Sequence, residues 1–269
     1  MYSKPSHFIL ELIQNSDDNK YASGVIPKLQ IVYREDGFLF IGSNEVGFTA
    51  ANVQAICRIA CSTKKVEGSQ KGYIGEKGIG FKAVFKVADM VWIKSVALSF
   101  AFDKTKPLGM IAPQWSEFPA GSSMNERTMF CFRIPEQEHR EVVAAHLLEL
   151  KPELLIFLRQ LKKVEITLQD KAGEVEQSFS LAREDDQVSS VRRTTLRHIA
   201  THPNAVSSEE QFLVFRDTKT GMPREKKREK VTESDVLMAF PVSGSMQPVL
   251  SDRMTFNYLY VLSTTFCYI

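Results

Sequence analysis

Three glycines lie close together in the segment 74–81, which reads Ile-Gly-Glu-Lys-Gly-Ile-Gly-Phe. Gly75, Gly78 and Gly80 carry no Cβ atom that would keep the backbone away from an anion, and successive free N–H groups at a loop-to-helix junction form an anion-binding nest. The spacing is neither the dinucleotide G-x-G-x-x-G nor a Walker A loop. The segment therefore predicts a phosphate site of another class, and a tight turn that serves only packing is the alternative.

A second set of chemically capable residues lies near the start of the chain. Apolar residues at helical spacing predict a helix over residues 6–20. Glu11, Asn15 and Asp18 stand at i, i+4 and i+7, so they share one stripe of that helix. A carboxylate can polarise a water molecule and an amide oxygen can ligate Mg²⁺. Both functions are suited to nucleotide hydrolysis. An ordinary solvated helix face is the alternative.

The elements that must position these residues follow from hydrophobic periodicity and turn signals. Strands over 29–34 and 38–41 flank Glu35-Asp36-Gly37, a hairpin signal, and a polar loop over 62–72 carries lysines that could close over an anion. Further helices are predicted over 49–60, 81–88, 136–150 and 154–161, and further strands over 91–102, 128–134, 163–168, 175–181, 188–196, 211–215 and 236–242. This order predicts an α+β fold rather than regular βαβ winding.

Composition narrows the classes of partner. The chain has 34 Lys and Arg against 32 Asp and Glu, so it carries no large net charge that would favour binding to nucleic acid or to a membrane surface. No apolar run has the length a bilayer requires, and the first residues lack the apolar core of a signal peptide. The four cysteines fit no zinc spacing and are interpreted as reduced thiols. We expect an intracellular protein, cytoplasmic or nuclear, and a chain that is a fragment of a longer one.

Three segments in order resemble the sequence boxes of a known superfamily. Residues 11–18 (Glu-Leu-Ile-Gln-Asn-Ser-Asp-Asp), 44–48 (Asn-Glu-Val-Gly-Phe) and 74–81 resemble the N-box and the two glycine boxes of the GHKL superfamily of ATPases. The amino-acid sequence of these segments is most similar to that of the branch of sacsin-like and NO VEIN-like proteins. The resemblance implies a Bergerat-type α/β sandwich, a mixed and mostly antiparallel sheet covered by helices, over 1–183, and a β-rich partial second domain over 184–269.

The resemblance also implies residue roles with ATP and Mg²⁺ as cofactors. Glu11 would be the general base, Asn15 the protein ligand of Mg²⁺, and Asp18 would line the ribose and adenine side. Thr128 would contact adenine through water. The remaining residues implied to contact the nucleotide are Ser43, Asn44, Gly47, Gly75, Lys77, Gly78, Gly80 and Phe81.

One departure leaves two hypotheses open. The family's first glycine box opens with an aspartate that accepts the adenine amino group, whereas this chain has Ser43 there and Glu45 in place of the first glycine. Asn44 offers an amide oxygen, which is a weaker acceptor than a carboxylate. The first hypothesis is an ATP-binding module with slow hydrolysis, coupled to conformational change in a chaperone-like or scaffold protein with an unknown protein client. The alternative is a non-catalytic interaction domain that binds no nucleotide.

Overall fold

The computed structural model describes residues 7–57, 81–121, 124–188, 191–201, 206–221 and 233–249. Within these ranges the helices are α1 (His7–Asp17), α2 (Ala50–Cys57) and α3 (Gln137–Leu148), with 3₁₀ helices at Phe81–Lys86 and Pro152–Phe157. The strands are β1 (Lys28–Arg34), β2 (Phe38–Ser43), β3 (Met90–Ser95), β4 (Leu98–Asp103), β5 (Gln114–Trp115), β6 (Thr128–Arg133), β7 (Lys163–Gln169), β8 (Val175–Val188), β9 (Val191–Ala200), β10 (Ser208–Thr220) and β11 (Glu233–Val242).

All eleven strands belong to one sheet in the order β11-β10-β9-β8-β7-β1-β2-β6-β3-β4-β5. Neighbouring strands are antiparallel except for β1 and β7, which are parallel with Lys28 opposite Lys163 and Arg34 opposite Gln169. The connection from β6 to β7 runs through α3 and the second 3₁₀ helix. The parallel pair therefore joins the strands that carry the motifs to the strands of the C-terminal part.

The hairpin between β1 and β2 forms where the sequence predicts it. Gly37 has a φ of +96°, and a Cβ atom there would lie 2.5 Å from the carbonyl oxygen of Ile134. Any side chain would be both strained and obstructed at this turn, so glycine is required. This turn fixes the register that pairs Arg34 with Phe38 and Leu29 with Ser43.

Helix α1 lies on one face of the sheet because its apolar residues recur at helical spacing. Phe8, Ile9, Leu12 and Ile13 are buried in the main core with Leu29, Ile31, Leu39 and Ile41 of β1 and β2. A smaller apolar cluster occupies the opposite face, formed by Val32, Phe40, Met124, Met129 and Cys131. We call the α1 side of the sheet the helical face. Among the described residues, no helix is long and apolar enough to cross a bilayer.

The predicted Bergerat-type sandwich, with helices covering the sheet, is wrong. The chain forms one large mixed sheet with few helices, because β8 to β11 extend the sheet beyond β7. The helices predicted over 81–88 and 154–161 are short 3₁₀ helices instead. Apolar residues three apart fit one turn of either helix type, so periodicity over so few residues does not distinguish them. The predicted domain boundary at residue 183 lies within β8.

Candidate functional site

The predicted catalytic stripe lies on α1 beside the helix's buried face. Glu11 and Asn15 are half-buried, while Ile9 and Ile13 on the core side are fully buried. Asp18 comes one residue after α1 ends. Helix α1 also contacts the 3₁₀ helix that begins at Phe81, the last residue of the second glycine box. The chain that leaves the glycine box therefore packs against the helix that carries Glu11 and Asn15.

Asp18 is held in an ion pair that no local sequence pattern predicts. Its side chain is 0% exposed, and its Oδ1 accepts a hydrogen bond from Nη2 of Arg159, whose own side chain is 25% exposed. Arg159 lies just after the second 3₁₀ helix, more than a hundred residues away in sequence. Asp18 is predicted to line the ribose and adenine side, and in the structure its carboxylate already pairs with the Arg159 cation.

Asp17, which sequence reasoning passed over, binds the same segment more extensively. Its Oδ2 accepts the backbone N–H of Arg159 at 2.8 Å, and its Oδ1 accepts those of Gln160 at 2.7 Å and Leu161 at 2.8 Å. The side chain amide of Gln160 in turn donates to the carbonyl oxygen of Asp17 at 2.9 Å. The buried carboxylate thus fastens the end of α1 to the start of β7. We call this set of contacts the Asp17 clamp.

The first glycine box begins at the buried end of β2. Ser43 is buried, and its Oγ lies 3.3 Å from the hydroxyl oxygen of Tyr21, which donates to the carbonyl oxygen of Ser16 at 2.8 Å. Burial raises the pKa of Tyr21 strongly; the hydrogen bond to Ser43 opposes this, and the charges of Glu45 and Asp17 add to it. Tyr21 is therefore a neutral hydroxyl at this end of the sheet.

Asn44 uses both ends of its amide within the protein. Its Oδ1 accepts the backbone N–H of Lys28 at 2.8 Å, and its Nδ2 donates to the carbonyl oxygen of Ile26 at 2.8 Å. These bonds hold the entry to β1 against the exit from β2. The oxygen predicted to accept the adenine amino group thus has a structural partner, the Lys28 N–H.

Gly47 lies against the turn between β3 and β4. Its φ is +101°, and a Cβ atom there would lie 2.4 Å from Cγ2 of Val96. The next residue, Phe48, donates its backbone N–H to Oγ of Ser95 at 2.8 Å. The space left by the absent Cβ atom of Gly47, which the resemblance implies contacts the nucleotide, is therefore taken by the protein's own β3–β4 turn.

A row of hydroxyl groups joins these elements at one end of the sheet. Strand register places Thr128 opposite Ser43 on one side and opposite Ser95 on the other. The oxygen atoms of Ser95 and Thr128 are 2.7 Å apart, and both residues are buried. Directly opposed residues of antiparallel strands project to the same face. The structure therefore brings the predicted residues Ser43 and Thr128 together on the helical face.

An aromatic contact connects the two glycine boxes. The rings of Phe48, which ends the first box, and Phe81, which ends the second, each lie 6.1 Å from the ring of Phe130 in β6. Phe130 stands two residues after Thr128, on the same face. Phe48 and Phe81 therefore border one region, with the hydroxyl row at its side. Gly75, Lys77, Gly78, Gly80 and the lysine-bearing loop 62–72 lie outside the described residues.

Lys82 anchors the chain immediately after the second glycine box. Its ammonium lies 4.7 Å from the ring centroid of Phe102 and donates to the carbonyl oxygen of Met110. Burial lowers the pKa of Lys82, with the nearby Cys57 opposing that effect. The 3₁₀ helix is thus attached both to β4 and to the loop that follows it.

Comparison with known proteins gives one informative match. No protein-family model matches the chain. Over 181 residues the chain is 38% identical to Protein NO VEIN of Arabidopsis thaliana, and the match covers 60% of this chain and 6% of that protein. The chain therefore corresponds to a small part of the length of this relative. The similarity supports a NO VEIN-like relationship for the chain.

Proposed function

We propose that the helical face near Phe130 binds Mg-ATP in the manner of a GHKL-type site. The observation that carries the proposal is that Phe48 and Phe81, the last residues of the two glycine boxes, contact the same ring of Phe130. Two further observations support it: α1 contacts the 3₁₀ helix that follows the second box, and Ser43 and Thr128 are neighbours. Residues that lie far apart in sequence thus border one region.

The donor chemistry of this region fits a magnesium nucleotide. The Asn15 amide is a hard oxygen ligand of the kind Mg²⁺ accepts, and Glu11 lies one helical turn before it. Bound Mg²⁺ would neutralise phosphate charge. In our proposal Asn15 would hold the metal, Glu11 would accept a proton from the attacking water, and the glycine-box backbone N–H groups would bind phosphate oxygens. The apolar rings of Phe48, Phe81 and Phe130 would exclude water from that side.

Isothermal titration with Mg-ATP tests binding. We expect the wild-type chain to bind and Asn15→Ala to bind at least about tenfold more weakly, a difference of roughly 1.4 kcal/mol. Gln137→Ala is the matched control, because it also removes an amide from a helix but on the exposed surface of α3. Equal binding by the wild type and Asn15→Ala, or no binding by the wild type, would refute the proposed metal ligand.

Hydrolysis is tested separately from binding. Glu11→Ala should abolish phosphate release while leaving the dissociation constant for Mg-ATP nearly unchanged, because a general base acts on water rather than on ground-state binding. Glu138→Ala, which removes an exposed glutamate from α3, is the control. Turnover that survives Glu11→Ala would remove Glu11 from the mechanism.

The structural use of Asn44 favours a second candidate, an interaction domain that binds no nucleotide. Ser43 supplies no carboxylate, and the amide oxygen of Asn44 already accepts the Lys28 N–H. A ligand at a hundred times its dissociation constant stabilises a protein by about 2.7 kcal/mol. A thermal unfolding midpoint unchanged by saturating Mg-ATP and Mg-ADP would therefore select this candidate. We propose coupling to a client or scaffold only together with the first candidate.

A further inference from the structure

Four cationic side chains lie together on the helical face, at the end of the sheet where the Asp17 clamp is located. Lys162 precedes β7, Arg183 lies in β8, Arg192 in β9 and Arg216 in β10. The backbone N–H of Arg183 donates to the carbonyl oxygen of Lys162 at 2.8 Å. Strand register places Arg192 opposite Val214, and Arg216 follows on the same face. We call these four residues the cation cluster.

In the described part of the chain, the carboxylate of Asp185 makes ion pairs with three of these side chains. It accepts hydrogen bonds from Lys162 and from Oγ1 of Thr194, the latter at 2.8 Å. Its oxygens also lie 3.3 Å from Nε of Arg183 and 3.9 Å from Nε of Arg192. Burial opposes ionisation of Asp185, but the Lys162 hydrogen bond and the charge of Arg183 outweigh it and hold its pKa below the ordinary value. One negative charge therefore faces three positive ones.

The other contacts of Arg183 do not cancel this excess. The guanidinium donates to the carbonyl oxygens of Leu155 and Leu158, and at 3.3 Å to that of Arg159, all neutral acceptors. Burial lowers the pKa of Arg183; the charges of Asp185 and Asp17 oppose this, and those of Arg192 and Arg216 lower it further. The repulsion between these guanidinium groups is therefore only partly compensated.

Arg192 also has donors without a hydrogen-bond acceptor in the described part of the chain. Its Nε and Nη2 atoms are buried, and neither makes a hydrogen bond there. Buried donors in native proteins nearly always have a partner, and a buried donor without one destabilises the fold. Donors without an acceptor and surplus positive charge at the same place are suited to bind an anion.

We propose that the cation cluster binds a phosphate group, with Arg192 as its principal donor. A guanidinium presents paired N–H groups that match two oxygens of one phosphate. A phosphate dianion would balance the two positive charges that Asp185 and Asp17 leave among the four cations. The proposal does not rest on nucleotide binding near Phe130, since it uses different residues.

Thermal unfolding of the 269-residue chain in inorganic phosphate, against sodium chloride of equal ionic strength, tests the proposal. We expect phosphate to raise the midpoint of the wild type, with a dissociation constant at least about tenfold weaker in Arg192→Gln. Arg193→Gln is the matched control, because Arg193 is the next residue, on the opposite face, and pairs with Asp186. It should respond to phosphate like the wild type.

Two further measurements keep the result interpretable. Without phosphate, Arg192→Gln should unfold at or above the wild-type midpoint, since it relieves repulsion, so its lost response would not reflect failed folding. Arg192→Lys should keep a weaker response, because it retains the charge but not the paired donors. No phosphate effect on the wild type at roughly 50 mM, or an equal effect on Arg192→Gln, would overturn the proposal.

Mg-ATP identifies the source of the phosphate group. If Mg-ATP abolishes the response to inorganic phosphate, the group belongs to a nucleotide; if the response persists, the cluster takes a separate phosphate. The Asn15→Ala variant should respond to inorganic phosphate like the wild type. Failure of nucleotide binding is therefore distinguishable from failure of the cation cluster.

Discussion

Replacing Asp17 with asparagine is the sharpest test of how the end of α1 is held. The substitution keeps the size of the side chain and one oxygen, which can still accept the N–H groups of Gln160 and Leu161. It places an NH₂ group where Oδ2 now accepts the Arg159 N–H, so two donors would face each other. It also removes a negative charge that favours the charged form of the buried Arg183.

The expected cost follows from these contacts. A hydrogen bond to a charged group contributes about 1.5–3 kcal/mol, and an unsatisfied buried donor costs about 1–3 kcal/mol. Since one of three bonds is lost and two are weakened, we expect Asp17→Asn to lower the free energy of unfolding by about 2–4 kcal/mol. At about 2–4 °C per kcal/mol for a chain near this size, the midpoint should fall by roughly 5–15 °C.

Urea unfolding provides the assay, with Asp170→Asn as the control. Asp170 is also an aspartate that accepts a backbone N–H, that of Glu174 at 2.8 Å, but in an exposed turn. We expect that control to cost less than about 1 kcal/mol. Amide hydrogen exchange at residues 159–161 should accelerate in Asp17→Asn, because their acceptor is weakened. A cost for Asp17→Asn no greater than that of Asp170→Asn would refute the clamp.

Three further outcomes follow from single positions. Gly47→Ala should cost at least about 1 kcal/mol more stability than Gly24→Ala in urea unfolding, because both have positive φ but only Gly47 lacks space for a Cβ atom; equal costs would contradict the close approach. The pKa of Asp185 is lower in the folded than in the unfolded chain, so this carboxylate stabilises the fold above its unfolded pKa and ceases to do so as pH falls through its folded pKa. Asp185→Asn should therefore reduce the loss of unfolding free energy at acid pH. Burial raises the pKa of Tyr33 to about 12, so the contribution of this residue to the free energy of unfolding is complete below about pH 10 and is lost as pH rises towards 12. Tyr33→Phe should therefore reduce the loss of stability at alkaline pH.

Local signals explain what the sequence predicted correctly. Helix α1 follows from apolar spacing, and the β1–β2 hairpin follows from a glycine that the turn requires. Strand β8 was predicted only over 175–181, yet it continues to Val188 through a charged run. That run is stabilised by arginines on β9, as in the pair of Asp186 with Arg193. Such cross-strand ion pairs depend on register, which composition does not show.

The residues of the candidate site likewise differ in whether a sequence pattern points to them. Helical spacing identified Glu11 and Asn15, the family resemblance implied Ser43 and Thr128, and the structure places the last two side by side. Neither spacing nor resemblance pointed to Asp17, because the N–H groups that this carboxylate binds lie 142 to 144 residues further along the chain. Partners that come from another element appear only when the topology is known. The roles predicted for Glu11 and Asn15 stay predictions for the titration and turnover experiments above.

The parallel pairing of β1 with β7 has a consequence for the order of folding. Its contacts join residues about as far apart as Gln30 and Glu165, which are separated by 135 positions. Loops of such length close slowly, and long-range pairing slows folding more than it weakens the folded state. Antiparallel hairpins such as β1–β2 and β7–β8, by contrast, close through short turns. During synthesis, the carboxyl end of α1 is therefore secured only after the segment near residue 160 has been made.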